Sequence, residues 1–283
     1  MNIQTNNLLP ESFTEIVILI AHYNDNERLK KAIDSIKEPF EVDVLIVDDG
    51  SKVKPNLDEL KSIYADRGVL RIEYAPQNMG ASKVRNWGLQ MILDSGYKYI
   101  AIMDSDDTNK PERISKQLGF MKKNPEIALV GSWADYYTSN GDFLFTIKHP
   151  AKDKEIKKQM YFNSMFVHPS IIYKREVIEN VGGYLEKYKK GGVEDYGFLF
   201  KVVKKYPIAN YQEVLVNYTI NENGLSSKQR FWQVFNRIRI ICDNFYFGFY
   251  PIFGLFRNSI LLVAPRNIGL NIRKWFKIEK MPV

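Results

Sequence analysis

An α/β fold with a mostly parallel central sheet flanked by helices is what the 283-residue sequence predicts, on three observations. Short apolar runs alternate with amphipathic helical runs as far as residue 110, the pattern that buries a parallel sheet under helices on both faces. The apolar runs are rich in β-branched and aromatic residues and bounded by Asp, Asn, Gly or Pro. Three of their four C-terminal ends turn abruptly polar, as strands do where they open on a ligand crevice.

Residues 16–21, 42–47, 70–74 and 99–103 read as buried strands. Between them 26–36, 56–66 and 82–93 read as crossover helices; Leu29, Ile33 and Ile36, or Val84, Leu89, Ile92 and Leu93, fall near helical spacing. Pro111 opens a helix over 111–123. Residues 129–137 and 143–148, separated by Ser139, Asn140 and Gly141, predict a hairpin. Helices over 153–162 and 196–205 and strands over 170–173 and 213–220 complete a body of residues 1–224, with no internal repeat and no long linker.

Residues 225–283 form a different kind of segment. The net charge of +7 is uneven: residues 1–227 hold 30 Lys and Arg against 31 Asp and Glu, and residues 228–283 hold 10 against 2. A helix over 229–244 carries Phe231, Phe235, Ile238 and Ile241 near one face. The run 245–264 approaches the length of a membrane span but is broken by Gly248, Pro251, Gly254, Arg257 and Asn258. With Arg266, Arg273, Lys274, Trp275, Phe276 and Lys277 it predicts an amphipathic helical tail lying on an anionic membrane surface. A helix pair that covers the core is the alternative.

Composition narrows the rest. Hydrophobic residues at 45% exclude a disordered chain. The single cysteine, Cys242, forms no internal disulfide, and with only His22, His149 and His168 the chain lacks the donors of a structural zinc site. The first 15 residues are polar and show no secretory pattern, so the expected location is cytoplasmic, on the inner face of the membrane.

The polar strand ends are Ala21-His22-Tyr23-Asn24, Asp48-Asp49-Gly50-Ser51 and Asp104-Ser105-Asp106-Asp107. Five carboxylates around one crevice repel unless a cation or well-placed donors neutralise them. No phosphate-cradling G-x-x-x-x-G-K-[ST] loop and no G-x-G-x-x-G after a strand is present. A diphosphate is instead expected on a divalent ion, Mn2+ or Mg2+, held by Asp104-Ser105-Asp106, since hard oxygen ligands suit such ions.

These elements occur in order with Asn78-Met79-Gly80, Arg85-Asn86, Gly182-Gly183-Tyr184 and Glu194-Asp195. Together they resemble the family 2 glycosyltransferases of GT-A fold, over residues 14–220. The resemblance implies a nucleotide-binding half (14–110) and an acceptor-binding half (111–224). It implies that Ala21, Tyr23, Asn24, Asp48, Asp49, Asn78, Lys83, Arg85, Asp104 and Ser105 line the nucleotide-sugar site. Tyr23 would stack on the base and Asp49 would accept from its imide, which favours uridine. Asp106, with Asp104, would hold the metal; Asp107 either joins them or caps the helix near Pro111. Lys83 and Arg85 either approach the diphosphate or face solvent, with Arg85 favoured by the motif. His168 is either a metal ligand or a satisfied buried histidine; His22 and His149 are read as structural.

Asp195 would be the catalytic base on the acceptor side, with Glu194 orienting it or binding the acceptor; the alternative is a pair of acids favoured by a helix N-terminus. The Gly-rich basic loop 187–192 would act as a lid. The implied activity is metal-dependent, inverting transfer from a nucleotide-sugar donor, a UDP-sugar, to a lipid-linked glycan in surface-polysaccharide assembly. Two rivals fit less well. A sugar nucleotidyltransferase needs a Gly-rich basic loop where His22-Tyr23-Asn24-Asp25 stands, and an acid-lined sheet edge repels nucleic acid.

Overall fold

The computed structural model describes residues 14–187, 192–220 and 229–263. The first part of the chain runs β1 (Ile16–His22), α1 (Asn26–Asp34), β2 (Asp43–Asp48), α2 (Leu57–Ile63), β3 (Leu70–Tyr74), α3 (Ala81–Leu93) and β4 (Tyr99–Asp104). There follow β5 (Thr108–Asn109), α4 (Arg113–Lys123), β6 (Leu129–Tyr137), β7 (Phe143–Ile147), α5 (Asp153–Gln159), a 3-10 turn at His168–Ser170, β8 (Ile172–Lys174), α6 (Arg175–Val181), α7 (Glu194–Lys205) and β9 (Ile208–Thr219). Two further helices, α8 (Arg230–Asp243) and α9 (Phe249–Val263), end the described chain.

Among the described residues nine strands form one sheet in the order β3-β2-β1-β4-β8-β6-β9-β5, with β7 paired to β6. β1 to β4, β6 and β9 share one direction, and β5, β7 and β8 oppose them. The predicted strands and crossover helices are all present. Unpredicted are β5, too short to show a period, α6, which follows β8 without a turn, and the first residues of β9, separated from 213–220 by the polar Asn210-Tyr211-Gln212.

Side-chain alternation places two cores on opposite faces of the sheet. Ile16, Ile18 and Ile20 of β1 join Val44, Ile46, Ala101 and Met103 beneath α1, α2 and α4. Val17 and Leu19 join Leu45, Val47, Ile100 and Ile102 beneath α3, α6 and α7.

Buried polar groups fix the turn after β4. The Arg113 guanidinium, wholly buried, donates to Ile102 O (2.8 Å), Asn109 Oδ1 (2.7 Å) and Gln117 Oε1 (3.1 Å). Burial lowers its pKa to about 10, so it stays charged at neutral pH. The first turn of α4 is capped from a distance: Glu38 accepts from the N–H groups of Ile114 (2.8 Å) and Ser115 (2.9 Å). Asp107 is therefore not the cap of this helix.

The C-terminal helices pack onto the body. Ile240 and Ile241 of α8 lie in the same core as Phe198 and Leu199 of α7. Tyr161 Oη donates to Asn244 O (2.9 Å), and Arg257 of α9 to Phe162 O (2.8 Å). A Cβ at Gly254 would overlap the Tyr161 carbonyl, so only glycine lets α9 approach this closely. The outer faces expose Phe231, Trp232, Phe235, Phe245, Tyr246, Phe247, Phe249, Ile252 and Phe256. No helix among the described residues is long and apolar enough to cross a membrane. The basic residues from Arg266 to Lys277 lie outside the described residues, as does most of the loop expected to form a lid.

Gly254→Leu is expected to destabilise the whole chain by about 1–3 kcal/mol through overpacking against Tyr161. Urea denaturation checks this; an unchanged midpoint would mean that α9 does not seat on the body.

Candidate active site

The sheet register levels the strand ends. Ala21 of β1 sits beside Asp104 of β4, and His22 sits beside Asp48 of β2. Everything that follows these three strands therefore emerges at one edge of the sheet.

The β1 and β2 ends are tied together by short polar side chains. Asn24, at a φ of 62°, donates its N–H to Ser51 Oγ (2.8 Å) and accepts at Oδ1 from the Lys52 N–H (2.8 Å). Ser51 in turn donates its N–H (3.0 Å) and its hydroxyl to the buried Asp48 carboxylate. Tyr23 stands at the rim with 47% of its surface exposed.

Asp49 reaches the other way. Its Oδ1 accepts from the Met79 N–H (2.6 Å), and its Oδ2 from the Gly80 N–H (3.0 Å) and Asn78 Nδ2 (3.0 Å). Burial raises its pKa in spite of these backbone donors. Gly50, at a φ of 69°, lets the β2 loop lie against residues 77 and 78, where a Cβ would come within 2.5 Å of the Gln77 carbonyl carbon. Asp49 thus fastens the segment that opens α3 and retains only part of its accepting capacity for a ligand.

On α3, Lys83 is exposed, whereas Arg85 points inward. Arg85 Nη2 donates to Asp104 Oδ1 at 2.7 Å, and the guanidinium lies 5.5 Å from the Tyr184 ring centroid. Burial opposes the Asp104 charge, but Arg85, joined by His168 and Arg113, holds the carboxyl below its ordinary range. Tyr184 is fixed by Asn86, whose Oδ1 accepts from its N–H (2.7 Å) and whose Nδ2 donates to its carbonyl (3.0 Å). Gly183 lies so close to the Asn86 amide that a side chain there would overlap it. The Tyr184 hydroxyl meets His168 Nε2 at 2.9 Å. Burial, and then Arg85, lower the His168 pKa to about 3, so the ring is neutral. Nδ1 is its other nitrogen for any ligand.

Ser105 and Asp106 follow at the β4 end, both half-buried. Burial, then the Asp104 charge, raise the Asp106 pKa to about 6; Arg28 Nη1 stands 4.0 Å from its Oδ2. Asp107 is buried, accepts from the Thr219 N–H (2.8 Å), and is pushed well up by burial, Asp106 and Asp104; its Oδ2 has no partner among the described residues.

The fourth group comes from α7, which opens on Glu194 and Asp195. Asp195 Oδ1 accepts from the Tyr196 N–H at 2.7 Å. Burial, then Glu194, raise its pKa to about 7, with the Tyr196 N–H and Arg85 opposing. A carboxyl so placed divides between its two forms near neutral pH, as a general base should.

Arg85, Asp104, His168, Glu194 and Asp195 are thereby gathered into one electrostatic cluster, with Asp106 beside Asp104. Asn24, Asp48, Asp49 and Asn78 frame the neighbouring loops, and Lys83 stands apart. His22 meets Asn26 Oδ1 at 2.9 Å, and burial lowers the His149 pKa to about 4. The role of Tyr184 is the one the sequence reading missed. The Gly-Gly-Tyr motif marks the residue, but its contact with His168 joins positions 16 residues apart that no periodicity links.

A family model described as glycosyl transferase family 2 matches residues 17–182. An uncharacterized glycosyltransferase of Methanocaldococcus jannaschii is 29% identical over 268 residues, which span 88% of this chain and 89% of that protein. The amylovoran biosynthesis glycosyltransferase of Erwinia amylovora is 24% identical over 219 residues, 76% of this chain and 79% of its own. The Escherichia coli UDP-Gal:alpha-D-GlcNAc-diphosphoundecaprenol beta-1,3-galactosyltransferase is 31% identical over 178 residues, 62% of each chain. Among solved structures, S. aureus TarS 1-349 in complex with UDP-GlcNAc aligns with a TM-score of 0.59 at 16% identity, covering 93% of this chain and 73% of that one. The Pyrobaculum calidifontis mannosyltransferase in complex with GDP-Man and Mn2+ aligns with a TM-score of 0.59 at 13% identity, covering 98% and 79%. At such identities the two structures establish the fold, that of GT-A glycosyltransferases.

Asp49→Ala strands the Met79 and Gly80 N–H groups, and is expected to cost about 1–3 kcal/mol of stability. Chemical denaturation measures this; a neutral result would show that the loop is held by other contacts.

Proposed function

Because the chain belongs to glycosyl transferase family 2 and is a glycosyltransferase, we propose that it transfers one sugar with inversion from a UDP-sugar to a hydroxyl of a lipid-linked glycan in surface-polysaccharide assembly. The observation that carries this is the Arg85–Asp104 pair beside Asp195, a fixed carboxylate at the sheet edge facing a base poised near neutrality. A UDP-sugar and a diphospho-lipid acceptor are what the E. coli relative's name specifies, and TarS was solved with UDP-GlcNAc.

In this reading the base of the donor stacks on Tyr23, whose exposed ring offers a face, and meets the remaining capacity of Asp49. Ala21, Asn24, Asp48 and Asn78 shape that pocket, and Asp104 and Ser105 border the ribose and diphosphate. Asp195 takes the proton of the acceptor hydroxyl as that oxygen attacks the anomeric carbon, and Glu194 orients the acceptor.

The β4 end fits a divalent ion, Mn2+ or Mg2+. Asp106 offers hard oxygens that its anionic neighbours make reluctant to ionise, and a cation would relieve that. Among the described residues no three His, Cys, Asp or Glu side chains converge to hold an ion alone. Asp106 would therefore share it with the donor phosphates, and Asp104 and His168, the other ligands the resemblance implies, would have to move towards it to join. Such an ion supplies charge stabilisation to the departing diphosphate.

The exposed aromatic faces of α8 and α9, with the basic charge of residues 228–283, support a seat on the cytoplasmic face of an anionic membrane.

Two substitutions test the chemistry together. Turnover is expected to rise from about pH 6 to about pH 8 as Asp195 ionises, and Asp195→Asn to lower kcat by about 10²- to 10⁴-fold and abolish that limb while donor binding persists. Asp106→Ala should instead weaken donor binding and make activity indifferent to added Mn2+. Loss of donor affinity in the first variant, or full activity of the second in EDTA, would refute the assignments. For the membrane seat, flotation with anionic vesicles is expected to weaken as salt rises. Combining Phe247→Ser, Phe249→Ser and Phe256→Ser should abolish it without loss of fold; undiminished flotation would reject the aromatic face as the contact.

A further inference from the structure

Arg237 lies on α8, beyond the segment that the family model matches, yet its side chain reaches the neighbourhood of Asp195. Its guanidinium carbon is 5.8 Å from the ring centroid of Tyr196, the residue that follows Asp195. The Tyr196 hydroxyl donates to Met160 O (2.5 Å), so the ring is a fixed platform. Nε of Arg237 is fully buried and meets no acceptor among the described residues. Its neighbours differ: Arg230 donates to Leu261 O (3.0 Å) and Arg257 to Phe162 O (2.8 Å).

Arg237 is half-buried, but its Nε–H is buried without an acceptor, which is costly and rare in native structures. Asp195 already accepts from the Tyr196 N–H at Oδ1. No acceptor among the described residues meets the Arg237 Nε–H, which leaves it to an oxygen from outside them, a water or a ligand. The stacked fork of an arginine suits phosphate, which it meets with two parallel N–H bonds. Two diphosphates enter this reaction in the reading above. That of the donor belongs at the β4 end, near Arg85 and Asp106. That of the acceptor lies, in the same reading, on the Asp195 side, where the inner face of α8 presents Arg237.

We propose that Arg237 binds the phosphate of a diphospho-lipid acceptor and so forms, with α8, the acceptor subsite. This rests on the reading of Asp195 as the base and of the acceptor as lipid-diphosphate-linked. It makes the C-terminal helices part of the specificity apparatus as well as a support for α7.

The test uses the full chain and two probes with the same short alkyl group: GlcNAc-diphospho-alkyl and the neutral alkyl GlcNAc glycoside. Arg237→Gln is expected to raise KM for the diphospho probe by about 10- to 100-fold, with KM for the neutral probe and for the UDP-sugar unchanged. Arg237→Lys, which keeps charge and stem but lacks the fork, should fall between. Equal losses on both probes, a raised donor KM, or no loss in either variant would overturn the proposal. Should Arg237→Gln fail to fold, Arg237→Lys and the wild-type preference for the diphospho probe decide, and a wild type without that preference also overturns it. A wild type that hydrolyses the UDP-sugar yet uses neither probe refutes the acceptor reading itself, an outcome distinct from failure at Arg237.

Discussion

The half-buried ion pair between Arg85 and Asp104 acts with burial to set the protonation pattern of the site. Removing two charges from water is expensive, and the pair persists because its geometry is direct and its surroundings are polar. Once Arg85 keeps Asp104 ionised, that fixed negative charge adds to burial in raising Asp106 to about 6 and in pushing Asp107 well up. The same arginine opposes the rise at Asp195 and disfavours a proton on His168. Burial and this guanidinium together leave a neutral His168 and an ionised Asp104, with Asp106 raised to about 6 and Asp195 to about 7. Replacing it would leave Asp104 buried without compensation beside Tyr184 and His168.

The position of Arg85 depends in turn on the loops before α3. The two acids of the β2 end divide the work. Asp48 turns back to Ser51 and closes its own loop, whereas Asp49 crosses to the backbone of Met79 and Gly80 and fixes where α3 begins. Arg85 follows one helical turn later, aimed at the β4 end. Asn86, next to it, grips both backbone groups of Tyr184, so the segment before α7 is referenced to the same helix as Arg85. The two halves of the site are held in register by adjacent residues of α3, and side-chain amides supply the precision.

Much of this was legible in the sequence. Period-2 alternation in Ile16–Ile20 and Val44–Val47 assigns residues to the two cores one by one, and the acids after β2 and β4 lie at the edge where strand-end chemistry predicts them. What was hidden is long-range. Asp49 as a loop fastener, Glu38 as the cap of α4 and the contact of His168 with Tyr184 all join segments that local pattern treats as independent. Arg113 illustrates the limit from another side. A basic residue in the first turn of a helix reads as solvated, yet this one is fully buried because Asn109, Gln117 and a strand carbonyl satisfy it. Local pattern cannot distinguish Arg113 from a solvated arginine; the surrounding acceptors do.

The C-terminal helices carry two demands that are usually met by separate parts of a protein. Their inner faces are core: Ile240 and Ile241 complete the packing of α7, and Gly254 brings α9 against Tyr161. Their outer faces expose large aromatics that no packing among the described residues covers, although burying each would be favourable by about 1.5–3 kcal/mol. An outward apolar face on a helix pair that also supports α7, the helix that opens on Glu194 and Asp195, couples that surface physically to the site: a displacement of α8 would be felt at α7 through Ile240 and Ile241.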